Sequence, residues 1–584
     1  MLQTALVLLA MGITCSLLGY GILSLLNRPG LLTEKPLPIR QPLPCLLAGT
    51  VAATIYAQLF SLFHGVGLAA DLGLAVICLL ILWGMRRQIT EDLTTLRSSL
   101  SPGKTLSLLL LFLAAAYGTS HGIMHYDTGL YHAQSIRFVE EYGVIPGLAN
   151  LHSRLGYNSA VFPLTALYSF SCLCPTSSLH VTSGYFAFLL GLACLPIGHL
   201  LKRERPVLTD FVRFAGLYYL FNIFKEMVAP ASDYALNCFL FCLLILWVDL
   251  EVRGEREVLP YALLSCGVVY AVTIKLSAAA LLLLAIRPIV RILRERTGAK
   301  QAAKLIGRYV LLGILIALPW FLRNALISGW LLYPSTVIGI PGAVWQVPRD
   351  LAEGDAAGIR AYARGTDGSL FSGGNPAFPT WFPVWLAAQP TVARLLLLFD
   401  LAAVPACPII QLIRTIRGKK TPAFPFTEGV LLLSFLFWFT QSPLIRYGFF
   451  FVWAPVFVIG GRLFLILFDR LSERSAAAVT RALALMFLAF ILYKGVRLVL
   501  TDGKLMRPQY LLTQQEYDRF DVFPYERDGV TFYRPVSGDQ TGYAGYPGGP
   551  YEADIRLLGK NLRNGLTCSS TDRSPDPQHK PMND

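Results

Sequence analysis

His125-Tyr126-Asp127-Thr128-Gly129-Leu130-Tyr131-His132 opens a segment, continuing through Gln134, Ser135 and Arg137, in which most side chains can carry a proton or a charge. It begins where the apolar run 105–121 ends. Residues 131–142 alternate aromatic or apolar with polar groups at helical spacing, as a helix lying at a membrane interface would. Gly143, Ile145-Pro146-Gly147, Arg154 and Asn158 follow. Polar and ionisable groups packed against the outer end of a span are functional candidates by default. An ordinary solvated loop has the same composition, and composition alone leaves the two readings level. Three further positions belong to the same class: Asp233 in Pro230-Ala231-Ser232-Asp233-Tyr234, Lys275 in Thr273-Ile274-Lys275, and Arg446 at a span end. Each has a bland alternative: a helix N-cap for Asp233, snorkelling for Lys275 and a helix-end anchor for Arg446. Arg137 and Arg154 either bind an anion or hold the loop together. His125, His132 and His180 lack the spacing of a metal triad, and hydrogen bonding suits them better.

The elements that must position these residues are membrane spans. The chain has 584 residues, of which 54% are hydrophobic and 15% charged, with a mean hydropathy of +0.53. A soluble domain of that size needs far more charge. The net charge of +14 sits in short basic clusters between apolar runs rather than in one stripe, which excludes a nucleic-acid partner. Eleven scattered cysteines, among them the Cys172-Leu173-Cys174 pair, make no redox or zinc motif. A span takes roughly 20 apolar residues, and the sequence offers about fourteen of them. Residues 2–26 lack the basic flank and cleavage site of a signal peptide and read as a retained helix.

The clusters Arg86 to Lys104, Lys202 to Arg205, Arg253 to Arg256, Arg287 to Arg308, Arg414 to Lys420 and Arg470 to Arg481 all fall in short loops. Placing them in the cytoplasm puts Met1, the loops 122–178 and 328–391, and the tail 501–584 together on the non-cytoplasmic side. Residues 158–175 are apolar enough to cross, but crossing breaks this parity, so they read as a membrane-surface helix. The run 258–294 reads as two short spans meeting outside at Lys275, because a lysine at mid-bilayer is costly. Lys225 and Glu226, within the expected sixth span 211–229, can pair with each other, and nearly all other charges fit at span ends. The tail, rich in Tyr, Asp, Gly and Pro, reads as a small soluble appendage, disordered after about 570. The fold class expected is all-α and polytopic, with interfacial helices in the first large outer loop. The segments are N-terminal transmembrane hairpins with a cytoplasmic loop (1–104), a transmembrane module carrying the candidate residues of the first outer loop, Asp233 and Lys275 (105–327), a large outer loop (328–391), C-terminal transmembrane helices (392–500) and the tail (501–584).

An Asp just after a span, a Tyr four residues on, an amphipathic helix, a Gly/Pro turn and an apolar juxtamembrane helix together resemble the first outer loop of GT-C class membrane glycosyltransferases. The likeness is to the branch of protein mannosyltransferases and aminoarabinose transferases. It extends over residues 105–326, taking in Asp233 and the Thr-x-Lys turn ending at Lys275, and does not cover 1–85. The resemblance implies transfer of a sugar from a polyprenyl-phosphate carrier to a glycan, lipid or protein acceptor at the outer face of the plasma (inner) membrane, in cell-envelope polysaccharide or glycoconjugate synthesis. It gives Asp127 the role of base, with Asp233 as a candidate second carboxylate. Lys275 and Arg446 would meet the leaving phosphate, and Tyr131, His132, Arg137 and Arg154 would line the substrate site. Relatives often carry a second acid directly after the loop Asp; here it is Thr128, which puts a borrowed divalent metal or paired-carboxylate mechanism in doubt. No cofactor is otherwise expected.

Two other classes compete. A transporter of lipid-linked saccharide should show internal repeats and mid-membrane charges, and no clear repeat is visible. A surface-polysaccharide polymerase or ligase would hold key arginines in a late outer loop, where Arg349, Arg360 and Arg364 stand. Trp330, Trp345, Trp381 and Trp385 in that loop fit sugar stacking or interfacial belts, belts being the simpler reading.

Overall fold

A chain in lipid must satisfy its backbone polar groups within its own segments, so long apolar runs become helices. The computed structural model describes residues 1–33, 42–173, 178–295, 298–367, 376–417, 426–501 and 507–568. Among them, eleven helices are long and apolar enough to cross a membrane, from Leu2–Leu26 to Glu473–Thr501, with Val258–Ile274 and Phe426–Gln441 as shorter apolar helices. The protein is a polytopic, multi-pass membrane protein, helical through the bilayer. The expected disorder after about 570, Cys174, Lys419 and Lys420 lie outside the described residues.

The expected sixth span is a 16-residue helix, Leu208–Ile223. Lys225 and Glu226 fall beyond it in a tight turn, Phe224–Glu226. They do not pair: Glu226 takes the Tyr234 hydroxyl instead. The run 258–294 breaks as expected. Val258–Ile274 ends at Lys275, whose backbone is extended (φ −157°, ψ 133°), and the chain returns through Leu276–Ala285 and Ile286–Glu295. Among the described residues, Asp400 departs from the rule that charges sit at span ends. It lies midway along Thr391–Ile416, is fully buried, and neither carboxylate oxygen has a hydrogen-bond partner.

The loop 122–178 differs from expectation in its surroundings. Residues 158–175 contribute a short helix, Val161–Leu167, which does not cross; all seven of its residues are buried, so it is not a surface helix. Thr165 on it hydrogen-bonds Thr182 at 2.8 Å, at the start of the next span. The amphipathic stretch becomes a π-turn, Thr128–His132, running into the helix Ala133–Glu141, and it too is largely buried. The reason is the tail. Its antiparallel pairs Val522–Arg527 with Val530–Pro535 and Ile555–Leu557 with Leu566–Cys568 bring residues 542–545 onto this helix. Gln134 Nε2 donates to the Gly542 and Gly545 carbonyls at 2.6 and 2.9 Å, and the Tyr543 hydroxyl donates to Glu140 at 2.7 Å.

The loop 328–391 joins the same face. Ser153 and Tyr157 donate to Asp355, on the helix Arg349–Arg364, at 2.9 Å each. The Met1 ammonium donates to the Tyr510 carbonyl at 2.5 Å. Both loops, the tail and the N-terminus therefore meet at one end of the bundle, as span parity requires. Trp330, Trp381 and Trp385 are 7%, 5% and 2% exposed. With indole N–H groups donating to Val347 and Ala363 carbonyls, Trp330 and Trp385 are the internal packing of the second loop rather than an interfacial belt.

Candidate active site

Four elements that are far apart in sequence deliver one charged cluster. The first is the turn after Pro102–Ser120, where Asp127 immediately precedes the π-turn; π-turns are frequent at functional sites because the extra residue re-aims a side chain. The second is the helix Ser232–Val252, with Asp233 in its first turn. Asp233 does not cap that helix, since the N-cap position is Ala231; its negative charge still suits the positive end of the helix dipole. The third is the break at Lys275. The fourth is Arg446, in the first turn of Ile445–Phe468.

The Arg446 turn is bent away from its own helix. Gly448 is non-helical (φ −124°, ψ 19°), and a Cβ there would sit 2.1 Å from the Trp438 indole. In an unbroken helix the Phe450 N–H would donate to the Arg446 carbonyl. Here Asn237 stands between them: its Oδ1 accepts the Phe450 N–H at 2.9 Å and its Nδ2 faces the Arg446 carbonyl at 3.5 Å. The same Nδ2 donates to the Asp233 carbonyl at 2.8 Å. One amide thus ties the Arg446 turn to the Asp233 turn and replaces the backbone bond that the bend removes.

Arg446 is the hub. Its Nη2 donates to Asp127 Oδ2 at 2.9 Å, its Nε lies 3.4 Å from Asp233 Oδ2, and its Nη1 meets His125 Nε2. Lys275 Nζ pairs with Asp233 Oδ1 and sits 3.5 Å above the Tyr447 ring centroid, a cation–π contact. Arg154 approaches the other side of Asp127, Nη1 to Oδ1 at 3.5 Å. The side chains of Asp127 and Asp233 are 14% and 9% exposed, while Arg446, Lys275 and Arg154 are 25%, 28% and 40% exposed. The cations therefore form the solvent-facing layer and the carboxylates the floor.

Burial by itself raises the Asp127 carboxyl, but Arg446, then His132, His125 and Arg154, outweigh it and hold the group below the usual carboxylate range. Burial and Arg446 lower His125. His132, 3% exposed, is pushed down to about 3 by burial and is neutral at physiological pH. It lies behind Asp127, its Nδ1 3.4 Å from the Thr128 hydroxyl. Tyr131 is a buried wedge, its ring 4.4 Å from His132 and 5.8 Å from Tyr157.

Of the residues singled out from sequence, the cluster unites Asp127, Asp233, Lys275, Arg446 and Arg154, with Tyr131 and His132 packed behind. Arg137 is elsewhere. It pairs with Glu141, donates to the Tyr543 carbonyl at 2.8 Å, and stacks on Tyr543 and Tyr546; it docks the tail. His180 likewise faces the tail, its backbone N–H donating to Gln514 at 3.0 Å. In the second loop, Arg349 pairs with Glu353 and Arg364 donates to the Thr440 carbonyl, so both are tied into local structure. Sequence reasoning missed Tyr447, and the signal available was its place directly after Arg446 at a span end.

A divalent metal does not suit these donors. Both carboxylates already face Lys275, Arg446 and Arg154, and among the described residues no group of three or more His, Cys, Asp or Glu stands together to hold an ion. Near the cluster, an apolar cavity of about 430 Å³ runs between Val258–Ile274, Leu276–Glu295 and Ala299–Ser328, past Cys266, Leu282, Ile314, Trp320 and Thr273. Its lining reaches Thr273, two residues before Lys275, and does not include the carboxylates.

Fold and site together define a multi-pass membrane protein with a cation-capped pair of carboxylates where the long loops 122–178 and 328–391 meet at one end of the helix bundle. The chain belongs to the family described as Domain of unknown function (DUF8201), which it matches over residues 1–453. That match takes in the N-terminal hairpins, the charged cluster and the loop 328–391, and it ends just after Arg446. No curated protein and no solved structure matches the chain.

Proposed function

We propose that this protein is an inverting GT-C type glycosyltransferase that moves a sugar from a polyprenyl-phosphate-linked donor to an acceptor at the non-cytoplasmic face of the plasma membrane. In this reading the bundle makes fourteen crossings and the basic clusters face the cytoplasm. The observation that carries it is the meeting of Asp127, Asp233, Lys275 and Arg446 near the end of an apolar cavity. A polyprenyl phosphate needs greasy volume for its chain and cations for its head, and a cavity lining that reaches Thr273, two residues before Lys275, supports this reading.

The cluster suits a single displacement. The acceptor hydroxyl gives its proton to an Asp127 oxygen as its own oxygen bonds to the anomeric carbon. The bond from that carbon to the phosphate oxygen breaks, and the electron pair leaves with the polyprenyl phosphate. Lys275 and Arg446 meet the charge that develops there; Lys275 acts as a point charge, and Arg446 presents two N–H groups to phosphate oxygens. Before the donor arrives, Arg446 holds Asp127 ionised but weakly basic. A phosphate that draws Arg446 away returns the carboxyl toward the pKa at which it accepts a proton well. The test is lipid analysis of cells lacking the protein. Polyprenyl-phosphate-linked sugar should accumulate and disappear again when the chain is restored; an unchanged lipid-linked sugar pool would refute the proposal.

A further inference from the structure

The peptide units around Asp127 are held from outside their own loop. Ala133 N–H reaches back five residues to the Thr128 carbonyl in the π-turn. Beside that bond, the Gly129 carbonyl accepts from two tail amides, Thr541 at 3.2 Å and Gly542 at 2.9 Å. On the other side of Asp127, the Tyr126 carbonyl accepts from Gln540 Nε2 at 2.7 Å, and the Tyr126 hydroxyl donates to Asp539. Phe520 closes the arrangement: its ring lies so near Gly129 that a Cβ there would sit 2.7 Å away. The same tail is strapped to the end of the helix Pro102–Ser120. Gln514 Nε2 donates to the Thr119 carbonyl at 3.0 Å, and Gln515 N–H to the Ser120 carbonyl at 2.7 Å. The Asp127 turn is thus bracketed at residues 119–122, 126 and 129 by residues 514–542, which lie beyond the family match ending at 453.

We propose that the C-terminal tail is a working part of the active centre, with Phe520 and Asp539 to Gly542 forming a clip that sets the angle of Asp127 against Arg446. This rests on the reading of Asp127 as the base. The clip residues are positioning residues. Lys275 and Arg446, which would bind the phosphate, make no contact with the clip in any hydrogen bond described above. Loosening the clip therefore shifts Asp127 and leaves the donor's anchor intact, so kcat falls while KM for donor holds. In the free enzyme, an Asp127 that drifts from Arg446 also loses the interaction that keeps its pKa low, and the acid limb of the kcat/KM profile moves to higher pH.

The test uses full-length protein in membranes, with a lipid extract containing polyprenyl-phosphate-linked sugar as donor. Gln540→Ala removes the bond to Tyr126, and Gly129→Ala drives a methyl group into Phe520. Each should lower kcat by roughly ten- to a hundred-fold, the usual penalty for misplacing a catalytic group by about an ångström, with KM for donor within about two-fold. Gly129→Ala/Phe520→Ala relieves the contact with the ring but removes a clip residue, so it should recover only part of the loss. Hydrogen–deuterium exchange supplies a readout independent of turnover: amides of residues 126–134 should exchange faster in both single variants. Wild-type kcat and exchange in Gln540→Ala and Gly129→Ala, beside an inactive Asp127→Asn, would overturn the clip alone. Full activity in Asp127→Asn would overturn the reading on which it rests. Where Gly129→Ala fails to fold, Gln540→Ala, which adds no atoms, decides: wild-type kcat and exchange in it would overturn the clip.

Discussion

Arg446→Gln removes the hub of the cluster while keeping a side chain of similar length. Breaking one partner out of a buried pair costs about 3–5 kcal/mol, mostly because the other charge stays behind. Here Asp127 is 14% and Asp233 9% exposed, Arg154 still faces the first and Lys275 the second, so the low end, about 3 kcal/mol, is the expectation. At ~2.1 cal/mol/K of unfolding entropy per residue, a chain of this length melting as one unit shifts by roughly 2–3 °C for that loss. Helices that persist in detergent lower the entropy change and make the shift larger. The effect has a pH signature. With Arg446 present, the Asp127 pKa is depressed, so its contribution to stability is present above the unfolded value of about 4 and is lost as pH falls through the folded pKa. Without Arg446, burial is no longer outweighed, the folded pKa rises, and ionised Asp127 becomes a cost at neutral pH. Thermal unfolding of purified wild-type and Arg446→Gln protein should therefore differ most near pH 7 and converge below about pH 4. Asp127→Asn in the Arg446→Gln background should recover part of the loss at pH 7. Equal melting temperatures at pH 7, or a gap that does not depend on pH, would refute the account of the cluster.

Lys275→Ala should reduce use of the lipid-linked donor more than it reduces protein yield, and Lys275→Arg should keep part of the activity; normal specific activity in Lys275→Ala removes Lys275 from the site. In a cysteine-free background, Ser537→Cys in the tail should react with an impermeant thiol reagent applied to intact cells, and Ser98→Cys, on the basic extension of Leu68–Ser99, only after lysis. The opposite pattern would invert the topology. The Gly448→Ala substitution, which puts a methyl group into the Trp438 indole, should lower thermal stability and donor turnover together, and Trp438→Phe should relieve part of both; an unperturbed Gly448→Ala would show that Arg446 does not depend on the bend.

Much of this was legible in the sequence because a bilayer leaves few choices. Apolar run length gave the helices, and the basic clusters gave the parity that put Asp127, Asp233, Lys275 and Arg446 at one end. The lysine break at 275 was readable because a buried unpaired ammonium is expensive. What failed depended on contacts between distant segments. The burial of Ala133–Glu141 and Val161–Leu167 comes from the tail and neighbouring spans covering them, so amphipathic spacing suggested an interface where the structure has a core. Arg137 sits in the same helix as the site but on the face turned to Tyr543 and Tyr546, a direction that spacing alone does not choose. The bridge from Asn237 to Phe450 and the Arg446 carbonyl joins residues 213 and 209 apart, and no local pattern announces it. Asp400 was overlooked because a single carboxylate hardly dents the hydropathy of a long apolar run.

The central claim is that Asp127 takes the acceptor's proton during sugar transfer. Asp127→Asn keeps the shape of the side chain and removes its basicity. Membranes carrying wild-type or Asp127→Asn protein at matched levels, supplied with the polyprenyl-phosphate-linked sugar that accumulates when the protein is absent, give the comparison. Transfer should fall by roughly two to four orders of magnitude in the variant, with protein level unchanged. Near wild-type transfer in Asp127→Asn membranes would contradict the account.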